Sequence, residues 1–190
     1  EAICQLASGA PSTLVVVDEL YEAFTGDSVL PQADFSQMPN LVVLRSLSKT
    51  AGIAGLRLGI AVGSAAVVDR ISRVTGPYDI NSFAVIAGMA ALQDQAYVDD
   101  YVQEVLKAKA WLVNKLNKHQ VRHHSAGGNY LLIWPSQGAA SCEAALRQDG
   151  ILVRSMAGKA LIDGSLRVSI GTSKQMKRFW KAFSAQQELS

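Results

Sequence analysis

Two short apolar runs rich in β-branched residues stand near the start of the chain, Leu14–Val17 (LVVV) and Leu41–Leu44 (LVVL). A continuous run of this length is the pattern of a strand buried on both faces, as in a parallel sheet. The first run ends in Asp18, the second in Arg45 and Ser46. The segment between them, with Pro31 and Pro39, is long enough for a crossover connection. A third strand is predicted over Leu56–Val62 (LRLGIAV). Ahead of the first strand, the stretch from Glu1 reads as the end of a helix followed by a Gly/Pro/Ser turn.

Helical spacing follows. One helix is predicted over Ala65–Val74. A long helical region then begins at Ser82, beyond a loop at Gly76-Pro77-Tyr78. In it Phe83, Ile86, Ala87 and Ala90 share one face, and Tyr101, Val105, Ala108, Leu112 and Leu116 mark a second stripe. After His119 the pattern changes to short strands: Tyr130–Trp134 closed by Pro135, Ile151–Arg154, and Ser165–Ile170 after a turn at Asp163-Gly164. A helix over Cys142–Gln148 ends at Gly150, and Ser173 is the expected N-cap of a last helix running to Gln187. The organisation predicted is α/β, with a change of character near 100–120. Residues 1–100 would belong to a parallel-sheet domain and 101–190 to a smaller α+β domain.

Composition narrows the function classes. Apolar residues make up 49% of the 190 positions and charged ones 18%, the balance of a folding globular chain. A net charge of +2 gives no electrostatic reason to expect nucleic acid or an anionic membrane as partner. Cys4 and Cys142 lie far apart with neither CxxC spacing nor clustered histidines, which points to two reduced thiols of a cytoplasmic protein rather than to a disulfide framework or a metal site. The adjacent His123-His124, on a strand, would point to opposite faces and could not chelate one ion. Trp111, Trp134 and Trp180 read as packing residues, and Lys174, Lys177, Arg178 and Lys181 as a solvated basic face. No apolar run approaches the roughly 20 residues that span a bilayer, and no signal-peptide pattern is present. The chain starts at Glu1 in what reads as mid-fold, so it is expected to be part of a longer protein.

The stretch richest in chemistry follows the second strand directly: Ser46-Leu47-Ser48-Lys49-Thr50-Ala51-Gly52-Ile53-Ala54-Gly55-Leu56-Arg57. Ligands of open α/β sheets bind at the carboxyl ends of strands. Two hydroxyls and an arginine there can build a phosphate pocket, with Ser46 and Ser48 as donors and Arg57 as a forked cation. Gly52 and Gly55 would let the backbone turn sharply. A lysine that is partly desolvated beside positive charge loses proton affinity and becomes a nucleophile, which suits Lys49. Taken by spacing alone, Lys49 could equally be a surface lysine in a polar turn, Arg57 a solvated strand residue, and Asp18 a strand-end turn former. If the first two strands are parallel neighbours, however, Asp18 and Lys49 lie on one edge of the sheet. A carboxylate and an amine facing one crevice are what pyridoxal phosphate needs at its two ends. Tyr21 lies three residues past Asp18.

VVVDELY followed by NLVVLRSLSKTAGIAGLRLG resembles the histidinol-phosphate aminotransferase family, among the class I/II aminotransferases. The resemblance implies the fold type I of pyridoxal-phosphate enzymes, with residues 1–100 as the C-terminal part of the cofactor-binding large domain and 101–190 as the small C-terminal domain. It implies that Lys49 holds the cofactor, Asp18 pairs with the pyridine nitrogen, Tyr21 bonds the ring hydroxyl, and Ser46, Ser48 and Arg57 bind the phosphate. Gly76 to Asn81 resembles the family's PYNVN segment, with Asp79 where asparagine is usual, and Gly128-Asn129-Tyr130 resembles the start of a family strand. Arg154 and Arg167 stand in the two C-terminal segments that resemble substrate readers. By resemblance Arg167 would take a carboxylate and Arg154 a distal phosphate.

The expected activity is amino-group transfer between an amino acid or amino phosphate and a 2-oxo acid, by a cytoplasmic homodimer. The family's other cofactor-binding elements, which precede this stretch in the family, are not among these residues. The chain by itself is therefore expected to carry an incomplete site. A decarboxylase resembling threonine-phosphate decarboxylase, and a non-catalytic binding module, stay open beside the aminotransferase.

Overall fold

The computed structural model describes residues 1–76 and 78–187, which leaves the predicted Pro77 turn outside the described residues. The chain divides into two compact units, Glu1–Asp99 and Asp100–Ser190.

The first unit contains α1 (Ala2–Gly9), β1 (Val15–Asp18), α2 (Glu22–Thr25), β2 (Leu41–Ser46), β3 (Gly59–Gly63), α3 (Ala65–Val74), α4 (Ser82–Gln93) and the first turn of α5 (Gln95–Lys118). Its sheet has the order β1-β2-β3. β1 pairs parallel with β2, Val15 opposite Leu41 and Asp18 opposite Leu44. β3 runs antiparallel, with Ser46 opposite Gly59. The sequence predicted a parallel-sheet domain and a strand beginning at Leu56. The connection from Ser46 to Gly59 is too short to carry a crossover helix, so the chain folds straight back instead. Leu56 closes a short 3-10 turn, Ala54–Leu56, and Arg57 follows it in a left-handed conformation.

One face of this sheet is packed. Leu41 and Val43 of β2 are buried with Ala7, Val29 and Met38, and Val15, Val17, Phe35 and Val62 pack against them. On the opposite side of β1, Val16 is 51% exposed. The prediction that β1 is buried on both faces therefore fails in this chain: its side chains alternate, and only one row is covered. Asn40, just before β2, is buried, and its side-chain amide lies 3.0 Å from the Ala7 carbonyl, 3.0 Å from Ala10 and 2.8 Å from Thr13. One amide thus closes the end of α1 and the turn into β1.

The helices begin where side chains take up the first free amides. Ser64 caps α3 by accepting the Val67 N–H, and Asn81 caps α4 through that of Ala84. A single long helix from Ser82 was predicted, but the helix breaks at Asp94, whose carboxylate accepts the Tyr97 N–H and starts α5. The predicted inner face of α4 is also corrected. Phe83 and Ile86 are exposed, and the buried positions are Ala84 and Gly88. Small residues win because α4 comes close to the β2–β3 connection: a Cβ on Gly88 would run into the side chain of Leu58.

The second unit contains the rest of α5, then β4 (His123–His124), β5 (Tyr130–Ile133), α6 (Ala139–Gln148), β6 (Arg154–Ser155), β7 (Leu166–Ser169) and α7 (Ser173–Gln186). Its sheet has the order β4-β5-β7-β6, antiparallel throughout. The stripe predicted for α5 is buried at Val105, Ala108, Leu112 and Leu116, and Leu131, Ile133, Leu146, Leu166 and Phe183 are fully buried in the same unit. Several boundaries shift, and α6 begins at Ala139 rather than at the expected Cys142. Thr172, not Ser173, caps α7, in a capping box with Gln175. Residues 151–153 stay outside the sheet, so pairing begins only at Arg154. Leu152 is accordingly exposed. Trp134 packs as expected, its indole donating to the Asp163 carbonyl at 2.9 Å while Arg122 stacks on it at 4.4 Å. Cys4 and Cys142 are unpaired, and burial pushes the Cys142 thiol up to about 11.

Asn40→Ala should lower the stability of the first unit by about 2 kcal/mol, because one buried and two partly buried carbonyls lose their donor. Urea unfolding reads this, and an unchanged midpoint would contradict the role assigned to the amide.

Candidate cofactor and substrate sites

The parallel register of β1 and β2 brings both strand ends to one edge of the sheet. Asp18 closes β1 opposite Leu44, and the ladder continues one step as the Glu19 N–H donates to the Leu44 carbonyl at 2.9 Å. β2 runs on through Arg45 and Ser46 into the turn that carries Ser48 and Lys49.

Ser46, Ser48, Lys49 and Arg57 line one hollow of about 520 Å³. Each is held by its local backbone. The Ser46 hydroxyl accepts the Ser48 N–H at 3.1 Å and lies 3.4 Å from the Leu58 carbonyl, so it stitches the two sides of the turn together. Arg57 donates to the Ala54 carbonyl at 3.1 Å. Its backbone is left-handed, at φ 59°. Of the two glycines predicted to bend this loop, Gly52 does so, at φ 72°. Gly55 does not, and the strained conformation falls on Arg57 instead. Asn81 adds a brace, donating from its side chain to the Leu56 carbonyl at 3.1 Å. Asp79 accepts the Gly76 N–H at 2.6 Å, so its carboxylate serves its own turn.

Lys49 is half-buried, not buried, and its amine stands 5.9 Å from the centre of the Tyr21 ring. Asp18 is exposed, and its carboxylate accepts the Leu20 N–H at 3.1 Å. Asp18 and Tyr21 line a second hollow, of about 430 Å³, rather than the one that holds Lys49. Tyr21 borders this second hollow and meets Lys49, and so links the two.

The two hollows carry opposite charge. Around Lys49 stand Arg45 and Arg57, with no Asp or Glu among the described lining residues. Around Asp18 stand Glu19, Glu22 and Asp27, with no Lys or Arg among them. A basic cup lined by hydroxyls suits a phosphate, and an acidic cup suits a protonated nitrogen. The donor set therefore fits a small molecule with an anionic group at one end and a basic nitrogen at the other.

Sequence reasoning missed Glu19, Glu22 and Arg45. Arg45 donates from Nε to Glu19 at 2.8 Å, from one terminal nitrogen to Glu22 at 2.6 Å, and from the other to the Ser28 hydroxyl at 2.9 Å. The signal available in the sequence was a lone arginine ending an apolar strand, beside a parallel strand ending in two acids.

In the second unit, Arg154 and Arg167 are direct cross-strand partners. Directly opposed residues project from the same face, so the two guanidinium groups share one side of the sheet. Arg167 is half-buried and stacks on Tyr130 at 4.3 Å, whereas Arg154 is exposed. Two like charges held this way suit an anion between or above them. Among the described residues, no group of three or more His, Cys, Asp or Glu is placed to hold a metal ion. No helix among them is long and apolar enough to cross a membrane.

The family model for aminotransferases of class I and II matches residues 1–183. The chain belongs to that family. It is 33% identical over 179 residues to histidinol-phosphate aminotransferase 1 of Pseudomonas fluorescens strain Pf0-1, an alignment covering 92% of this chain and 50% of that protein. This aminotransferase-family chain thus spans about half the length of the curated relatives it matches. Among solved structures, it is similar to L-threonine-O-3-phosphate decarboxylase from Porphyromonas gingivalis, with a TM-score of 0.82 and 26% identity, covering 98% of this chain and 58% of that one. The fold also matches histidinol-phosphate aminotransferase from Sinorhizobium meliloti in complex with pyridoxal-5'-phosphate, with a TM-score of 0.77 and 21% identity, covering 97% of this chain and 52% of that one. The expected fold, a pyridoxal-phosphate enzyme's α/β architecture of which this chain is a part, is the one these structures share.

Because Arg154 and Arg167 oppose each other directly, Arg154→Ala should stabilise the second unit at low ionic strength, by roughly 0.5 kcal/mol. The gain should shrink as salt screens the pair. Denaturant unfolding at low and high salt measures this. A loss of stability on substitution would show that the pair is not repulsive.

Proposed function

We propose that the protein to which these residues belong is a pyridoxal-phosphate aminotransferase of the histidinol-phosphate aminotransferase kind. It moves an amino group between an amino acid or amino phosphate and a 2-oxo acid. The observation that carries this reading is the pair of oppositely charged hollows that meet at Tyr21 and Lys49, in a chain of the class I and II family. Pyridoxal phosphate, when bound, supplies a ring that withdraws electrons from the reacting carbon of the substrate.

The chain's own residues do the rest. Lys49 would hold the cofactor, and its amine would carry the proton taken from and returned to the substrate's α carbon. Its flexible stem and its half-exposed position suit a group that must swing. Arg57 and Ser48 hold the phosphate, and Ser46 holds the turn that presents them. Asp18 keeps a proton on the ring nitrogen. Tyr21 donates its hydroxyl to the ring oxygen and flanks Lys49. Arg154 and Arg167 take the anionic groups of the substrate, and two guanidinium groups on one face favour a substrate with more than one negative charge. A homodimer working in the cytoplasm, with neither nucleic acid nor membrane as partner, completes the proposal.

A decarboxylase is the second reading, and the likeness to the P. gingivalis enzyme favours it. The cofactor residues proposed here serve either reaction, because the choice of bond depends on how the substrate is held against the ring.

The test begins with pyridoxal phosphate added to the purified protein, followed by its visible absorbance and by borohydride reduction with peptide mapping. The label should fall on Lys49 and be lost in Lys49→Ala. Exchange of amino groups between glutamate and 2-oxoglutarate then supports the aminotransferase. Release of carbon dioxide from O-phosphothreonine without such exchange would replace it by the decarboxylase. Cofactor uptake that Lys49→Ala leaves intact would overturn the assignment of Lys49.

A further inference from the structure

Arg45 contacts neither of the groups that would face a cofactor's reacting atoms, yet it sits between them. It follows Leu44, whose β1 partner is Asp18, and it precedes Ser46. All three of its guanidinium nitrogens reach across to the segment after β1, to Glu19, Glu22 and Ser28. Glu19 is buried at 8% exposure, and its carboxylate is fully engaged. One oxygen accepts the Val29 N–H at 2.6 Å, and the other accepts the Ser28 hydroxyl at 3.0 Å and Arg45. Residues 19–29 are thereby fastened at both ends to the end of β2. Tyr21 lies between the two glutamates, and Lys49 lies four residues past Arg45.

We infer that Arg45 is a positioning residue that, through Glu19 and Glu22, sets Tyr21 against Lys49 and keeps the acidic and basic hollows apart. A planar fork is needed for this work. It meets two carboxylates and a hydroxyl at once, where a lysine ammonium would satisfy one or two of them and leave Tyr21's segment loose. The clamp also lets the two hollows hold opposite charge side by side. Glu19 and Glu22 border the acidic hollow but are turned to Arg45, so their charge does not cancel that of Lys49 and Arg57.

The inference rests on the cofactor reading only for what the clamp serves. The clamp itself is tested without cofactor. Arg45→Lys and Glu22→Gln both keep Glu19 paired or near a cation, and so keep the fold. In the cofactor-free protein, amide hydrogen exchange over residues 19–29 should accelerate about tenfold or more in each variant, while β3 and α7 stay as in the wild type. With pyridoxal phosphate bound at Lys49, the pH midpoint of its visible band should shift in both variants and the dissociation constant should rise about tenfold. Loss of stability alone would leave the midpoint where it is. Unchanged exchange over 19–29 overturns the clamp. Faster exchange with an unmoved spectral midpoint overturns its role in setting Tyr21 against Lys49. If the wild type takes up no cofactor at Lys49, the cofactor reading falls, and with it the service to that site, whereas exchange still decides the clamp.

Discussion

The pairing of β1 with β2 is the constraint on which the rest of the first unit depends. Parallel strands place both carboxyl ends at the same edge, and here Asp18 stands opposite Leu44 while the Glu19 amide extends the ladder one residue further. A slip by one residue would turn Leu41 and Val43 out of the packed face. It would also carry Arg45 away from Glu19 and displace every group between Asp18 and Lys49. Burial of the β2 side chains therefore fixes the geometry of charged groups from buried Glu19 to exposed Asp18.

Electrostatics at that edge is arranged by separation. Carboxylates collect on the β1 side and cations on the β2 side, with one guanidinium bridging the line between them. A buried carboxylate such as Glu19 would be costly alone. It is tolerated because a backbone amide, a hydroxyl and a guanidinium together replace the water it lost. In the second unit register sets two cations, Arg154 and Arg167, directly opposite each other, and Arg167 stacks on Tyr130.

Much of this was legible in the sequence where pattern and chemistry coincide. The apolar runs located β1 and β2, and the heptad-like stripe located the buried side of α5. The start of α7 was readable to within a residue, Thr172 replacing Ser173 because the capping box needs Gln175 three residues on, whereas α6 begins three residues before the expected Cys142. Other features were not legible because they arise from contacts distant in sequence. The antiparallel β3 follows from a short connection that still reads as apolar strand. The covered side of α4 is set by close approach of Gly88 to Leu58, which an almost uniformly apolar helix cannot announce. Around the candidate site, Lys49, Ser48, Arg57 and Tyr21 were found from spacing and resemblance. Glu19, Glu22 and Arg45 were passed over because a charge that serves another charge has no local signature.

Arg57 holds a left-handed backbone that disfavours most residues with a Cβ, asparagine and aspartate least, by about 1–2 kcal/mol relative to glycine. Backbone ease and the positive charge of the basic hollow are therefore set against each other at this one position. A library enriched only for survival of heating would accumulate glycine or asparagine there and lose the cation from the basic hollow. Selection for ligand capture would hold the arginine and tolerate the strain. Sequences drifting without a ligand to bind should betray themselves first at position 57.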